Sequence, residues 1–175
     1  MPFRGFISAD LPPLPRVDSL LRDLHEASRD LKVVSPEHLH VTLKFLGDTE
    51  DGLVPEIVAA LREAATGVAP MAASVRGTGG FPNLTRPRVI WIGLEGANPL
   101  AGVARALDER LRNLGFAPEN RPWSPHVTVA RVRGPRGLDR VREILRSHED
   151  ETFAEVRIEE LQLKKSVLRP QGPVY

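Results

Sequence analysis

The tripeptide His-Val-Thr occurs twice in this chain, at 40–42 and at 126–128. Both copies open apolar runs of strand character, HVTLKFLG from His40 and HVTVARVRG from His126. Residues two apart in a strand point to the same face, so each copy presents an imidazole beside a hydroxyl. Brought together, the two copies would surround a small anion with His40, His126, Thr42 and Thr128. Paired histidines suit phosphodiester chemistry without a metal. A neutral imidazole takes a proton from water and an imidazolium gives one to the departing alkoxide, and an unperturbed pKa of about 6.5 makes both forms accessible near neutrality. Threonine hydroxyls can donate to the phosphate oxygens as charge builds there.

One His-x-Thr alone is common, and a strand histidine is more often a structural hydrogen-bonding residue. The weight comes from repetition, since the histidines lie 86 residues apart, each followed by an apolar run and a glycine. Strict alternation predicts that His40, Thr42 and Lys44 share one face while Val41, Leu43 and Phe45 pack into the core. Arg131, at an odd offset from His126, should point away from the site unless the strand bulges. A competing reading takes His38 and His40 as an His-x-His metal pair, completed by His126 and Glu50 in a cupin-like site. It leaves the repeated threonine unexplained and gives His38 no counterpart near His126. A third reading is a non-catalytic binder that uses the same groove.

The elements that must position these residues follow from pattern. A strand is expected over 3–9, a helix from Val17 to about Leu31, a strand over 38–46 ended by Gly47, and a helix over 54–65. A short strand at 72–76 should lead into a glycine-rich loop running to Pro87. A strand over 89–94 precedes a helix capped by Asn98 and stopped at Gly115. The second His-Val-Thr strand, a helix over 138–145, and strands at 152–158 and 160–168 complete the chain. Each half thus reads strand, helix, His-Val-Thr strand, helix, strand, an internal duplication about a pseudo-twofold axis. A doubly wound parallel fold is disfavoured, because the first strand leads into Ala-Asp-Leu-Pro-Pro rather than a glycine-rich phosphate loop.

The 175 residues carry a net charge of +1, 41% hydrophobic residues and no cysteine. This composition is that of a globular domain, with thiol chemistry and disulfides excluded and no strong commitment to a long polyanion. No apolar run approaches the roughly 20 residues of a membrane span, and no leader pattern opens the chain. A cytoplasmic monomer without membrane contact is expected. Arg131, Arg133, Arg136, Arg140 and Arg142 could follow an RNA backbone or form a solvated face.

At these residues the chain resembles the 2H phosphoesterase superfamily, whose signature is a pair of His-x-Thr/Ser-x motifs. Within it the chain is most similar to the RNA 2′,3′-cyclic phosphodiesterases, also called 2′-5′ RNA ligases. Besides HVTL at 40–43 and HVTV at 126–129, the similarity includes FRGFISADLP at 3–12, KFLG at 44–47 and GFPNLTRPRVIWIGL at 80–94. SPHVTVAR at 124–131 and LKKSVLRPQGPVY at 163–175 extend it almost end to end. The resemblance implies an α+β fold, a single domain of two pseudo-symmetric lobes whose antiparallel sheets, flanked by helices, surround a central groove. It implies hydrolysis of a terminal 2′,3′-cyclic phosphate on RNA to a 2′-phosphate with no cofactor or metal, and a reversible 2′-5′ joining activity. It casts His40 as proton donor, His126 as proton acceptor, and Thr42, Thr128 and Arg131 as phosphate-holding residues. Phe81 and Trp123, in loops near the motifs, are candidates to stack a terminal base.

Overall fold

The computed structural model describes residues 2–169 and 172–175. Pro170 and Gln171, within the family-like tail, lie outside the described residues. The first half of the chain forms β1 (Pro2–Asp10), α1 (Pro15–Ala27), β2 (Leu31–Val33), β3 (His40–Glu50), α2 (Val54–Ala64) and β4 (Met71–Phe81). The second half forms β5 (Val89–Glu95), α3 (Pro99–Arg112), β6 (His126–Val132), α4 (Leu138–Ser147), β7 (Thr152–Ile158), β8 (Gln162–Arg169) and β9 (Gly172–Val174). All ladders are antiparallel. The strand order is β7-β4-β5-β6-β3-β1-β8-β9, with β2 beside β6.

That order is symmetric about its middle. β3 and β6 meet at the centre, flanked by β1 and β5, and then by β8 and β4. The lobes exchange strands, since β4 closes the first half of the chain yet pairs with β5, whereas β8 near the C-terminus pairs with β1. Neither half can complete its sheet without the other. Each helix buries one stripe, as Val17, Leu20, Leu21 and Leu24 do in α1 and Leu100, Val103, Leu107 and Leu111 in α3. α1 packs beside α4 and α2 beside α3, covering the sheet faces turned away from the motifs. None of the described helices is long and apolar enough to cross a membrane.

Several sequence-based boundaries move. The first helix stops at Ala27, and Leu31 starts β2 against Val132 of β6. The turn between them is tied by Asp30, whose carboxylate accepts Arg136 Nη2 at 2.8 Å, and by Ser28, whose hydroxyl donates to the Arg136 carbonyl. Asn98 makes no side-chain cap; its backbone is already helical. β3 continues past Gly47, which takes φ 66° beside a bulge where Leu46 has no partner on β1. β4 runs through Gly77, Gly79 and Gly80 where a loop is expected. Gly79 is required because a Cβ there would meet the Trp91 ring at 2.3 Å. The glycines belong to a strand that admits a large neighbouring aromatic, not to a loop.

Candidate active site

The two motif strands touch at one point, where Val41 pairs with Val127. One residue to either side, this antiparallel register sets His40 level with Thr128 and Thr42 level with His126. The pairing goes no further among the described residues, so the strands part and histidine alternates with threonine around the opening. Val41, Leu43, Val127 and Val129 are buried in the core, and the histidines and threonines are half-buried on the other face.

Both imidazoles are held alike. His40 Nδ1 lies 2.6 Å from the His38 carbonyl, and His126 Nδ1 lies 2.8 Å from the Ser124 carbonyl. A carbonyl only accepts, so each Nδ1–H donates and each Nε2 is left for chemistry. Aromatic rings flank both, with Phe6 5.1 Å from His40 and Phe81 5.2 Å from His126 between ring centroids. Phe81, 38% exposed, also packs on Trp91 at 5.5 Å, which leaves it at the groove rim. Trp123 is engaged differently: its indole N–H donates to the Thr42 carbonyl at 2.9 Å, anchoring the loop that enters β6.

Two bulges decide what else joins the site. On β3, Ile7 pairs with Lys44 and Ser8 with Thr42, which leaves Leu43 without a partner. On β6, Ile90 pairs with Ala130 and Trp91 with Thr128, which leaves Val129 without one. Each extra residue directly follows the motif threonine and shifts the alternation by one. Arg131 thereby comes to the motif face, removing the parity objection. The same shift overturns two expectations in the first half. Phe45 is 62% exposed rather than in the core, and Lys44 is 2% exposed rather than facing the groove. Lys44 Nζ donates to Asp108 Oδ1 at 2.6 Å and to the Ala117 carbonyl at 2.7 Å, with Glu119 Oε1 at 3.6 Å. Burial alone would raise the Asp108 pKa, yet the Lys44 ammonium and the Glu119 N–H hold it below the ordinary carboxylate value.

Sequence reasoning missed Tyr175. Its ring lies 4.8 Å from His38, 5.1 Å from Phe6 and 5.8 Å from His40, forming a wall on the His40 side. Burial pushes its phenol pKa up, opposed by the nearby Arg131 charge. Lys164 lies over the ring at 5.9 Å and ion-pairs with Asp10. The only motif-level signal was the tail's likeness to the family. Two buried donors without a protein partner among the described residues, Ser8 Oγ and Trp91 Nε1, belong to the residues opposite Thr42 and Thr128.

This enclosure acts on His40. Burial holds its pKa below the usual 6.5, reinforced by Lys164 and His38 and opposed by the bond to the His38 carbonyl and by Asp10. In the window below about 6.5 the unfolded chain therefore binds more protons at this residue than the folded one does. The resulting penalty is complete below the folded pKa and fades as pH rises towards 6.5. We expect the His40 imidazole to titrate below the ordinary histidine value by NMR. His40→Gln should remove that rise in stability with pH, and an ordinary titration at His40 would contradict the enclosure.

The metal set is not assembled. No group of three His, Asp or Glu side chains among the described residues is placed to hold an ion. Glu50 ends the strand that His40 begins, about 30 Å away at strand rise, and His38 turns its ring to Tyr175. Of the basic run, Arg136 pairs with Asp30, Arg140 with Glu143 and Arg142 with Asp139, which favours a solvated, ion-paired face over an RNA track.

A bilobal α+β fold with an His-x-Thr pair at the join of its lobes is the arrangement of a 2H phosphoesterase. The chain belongs to the 2′-5′ RNA ligase superfamily, whose family model matches residues 12–167. It is 38% identical over 177 residues to the RNA 2′,3′-cyclic phosphodiesterase of Methanothermobacter thermautotrophicus, covering 100% of this chain and 96% of that protein. The protein of the same name from Archaeoglobus fulgidus is 36% identical over 174 residues, covering 98% of this chain and 96% of its own. Among solved structures, TT0787 of Thermus thermophilus superposes with a TM-score of 0.76 at 30% identity, over 98% of this chain and 93% of that one. Escherichia coli LigT complexed with 3′-AMP shares the fold, with a TM-score of 0.75 at 21% identity over 100% and 94% of the two chains.

Proposed function

We propose that this protein hydrolyses the terminal 2′,3′-cyclic phosphate of RNA, or of a short nucleotide, to a 2′-phosphate without a metal. The observation that carries the reading is the alternation of His40, Thr128, His126 and Thr42 about the Val41–Val127 pair, with both Nδ1 atoms occupied by carbonyls. The names of the full-length relatives support the substrate class.

In this mechanism neutral His126 takes a proton at Nε2 from a water, whose oxygen forms the new bond to phosphorus. The P–O3′ bond breaks, and His40, protonated at Nε2, gives its proton to the departing 3′ oxygen. The lowered pKa of His40 makes its charged form the stronger proton donor, although fewer molecules carry it. Thr42, Thr128 and Arg131 hold the non-bridging oxygens, where charge concentrates in the transition state. A 5′ hydroxyl attacking phosphorus in place of the water, with the same P–O3′ bond broken, would join RNA through a 2′-5′ bond, with hydrolysis dominating in dilute solution. Because each lobe supplies half of the catalytic set and the lobes exchange strands, residues 1–175 act as one domain.

The test is an RNA oligonucleotide ending in a 2′,3′-cyclic phosphate, incubated with the protein in excess EDTA and read by mass. The expected product is heavier by one water and carries a 2′-phosphate. Tight binding without conversion would favour a non-catalytic RNA-end binder using the same groove. Activity lost in EDTA and restored by zinc would favour a metal enzyme.

A further inference from the structure

Ser8 places a hydroxyl inside the buried run 5–9 of β1. It is 0% exposed, and its Oγ has no hydrogen-bond partner among the described residues. A hydroxyl in this position costs stability, because it gives up its bonds to water and receives none in return.

Its place in the sheet points to a use. Ser8 stands opposite Thr42 on one side and opposite Gln162 on the other. Residues opposite one another in a ladder share a face, so Gln162, Ser8 and Thr42 form one row on the motif face, ending at the phosphate site. Gln162 repeats the feature, with its Oε1 buried and without a partner among the described residues. The row is also roofed. Lys164 stands opposite Phe6 on one side of it, and its Nζ ion-pairs with Asp10 on the other side. The Lys164 side chain therefore spans the row, with the Tyr175 ring 5.9 Å from its Nζ. Water is kept from Ser8, and a hydrogen bond made there is stronger for it. The other lobe has no such row. Trp91 stands opposite Thr128, and its ring lies over Gly79 of β4, away from β6.

We propose that Ser8 is a positioning residue for Thr42. When Thr42 turns its O–H to a phosphate oxygen, its own oxygen is left to accept, and Ser8 Oγ–H is the donor across the strand. Gln162, turned about its last side-chain bond, presents an amide N–H to Ser8 Oγ in the same way. The donors of Gln162, Ser8 and Thr42 then all point towards the phosphate, and each bond polarises the next. The Thr42 bond gains most as negative charge concentrates on the phosphate oxygens, so the effect falls on the transition state rather than on substrate binding. The inference rests on the cyclic-phosphate reading above.

The experiment is steady-state kinetics on a cyclic-phosphate-ended RNA, with thermal melts of the same preparations. It compares the wild-type protein, Ser8→Ala, Gln162→Leu, Thr42→Val and the double variant of Ser8 and Thr42. One neutral hydrogen bond corresponds to about two- to tenfold, so Ser8→Ala should lower kcat by roughly that factor with KM little changed. Its melting temperature should hold or rise, because the hydroxyl removed has no partner among the described residues. Gln162→Leu should lower kcat in the same direction. In the Thr42→Val background, Ser8→Ala should cost nothing further. Full kcat in Ser8→Ala or Gln162→Leu, a lowered melting temperature in Ser8→Ala, or a loss that persists undiminished beside Thr42→Val overturns the assignment and leaves the phosphodiesterase reading intact. A wild-type protein that leaves the RNA unconverted removes the phosphodiesterase reading and the assignment with it.

Discussion

Replacing either His40 or His126 with alanine should lower kcat by about 10²–10⁴-fold, the usual contribution of one placed acid or base. The two losses should not add. Once one proton transfer is gone, the other histidine has no complete pathway to serve, so the double variant should resemble the worse single one. Folding should survive, because both histidines are half-buried at the opening and the core beneath them is made by Val41, Leu43, Val127 and Val129. Steady-state kinetics on a cyclic-phosphate-ended RNA, beside thermal melts of the same preparations, test this. A single variant with near-normal turnover and a normal melt would rule out the paired mechanism. In the proposed mechanism the two groups act on one phosphate, so limbs of the pH–rate profile should belong to the pair rather than to either residue.

The second large effect is on stability. Asp108→Ala should cost about 3 kcal/mol, at the lower end of what is lost when one partner of a buried ion pair is removed. The Lys44 ammonium would stay buried, keeping the Ala117 carbonyl and the more distant Glu119 carboxylate as its named partners. For a chain of this size that corresponds to a fall of roughly 6–12 °C in melting temperature. Lys44→Met should cost much less. It removes the charge itself, and the Asp108 carboxylate it leaves behind, at 20% exposure, can still reach water. Thermal or urea unfolding of the two variants decides the matter. Equal losses would mean that Lys44 acts by packing, and no loss in Asp108→Ala would mean that the ion pair contributes nothing net. The asymmetry bears on the site as well, because this pair secures the segment that leads into Trp123 and His126.

Much of the architecture was legible because it rests on local patterns. The apolar stripes of α1, α2, α3 and α4 follow helical periodicity, and the repeated element order announced two similar lobes. The placement errors share one cause. Leu31 looked helical until β6 offered it a ladder, and the glycines of β4 read as a loop because what crowds them lies far along the chain, as the Trp91 ring does twelve residues after Gly79. Tyr175 carries no motif, and its place beside His40 comes from the pairing of β9 with β8 and of β8 with β1.

The sequence by itself determined the chemistry on offer: two His-x-Thr units, each with imidazole and hydroxyl on one face, in strands whose other face is apolar. It did so because alternation along a strand is a property of the strand alone. Whether Arg131 and Phe45 face that site, and whether Lys44 leaves it, only the tertiary structure decided. A bulge is a mismatch between the residues of two strands, and neither Leu43 nor Val129 is extra until β1 and β5 lie alongside. One unpaired residue reverses the face of those that follow, so the second half of each motif strand takes its orientation from its partner.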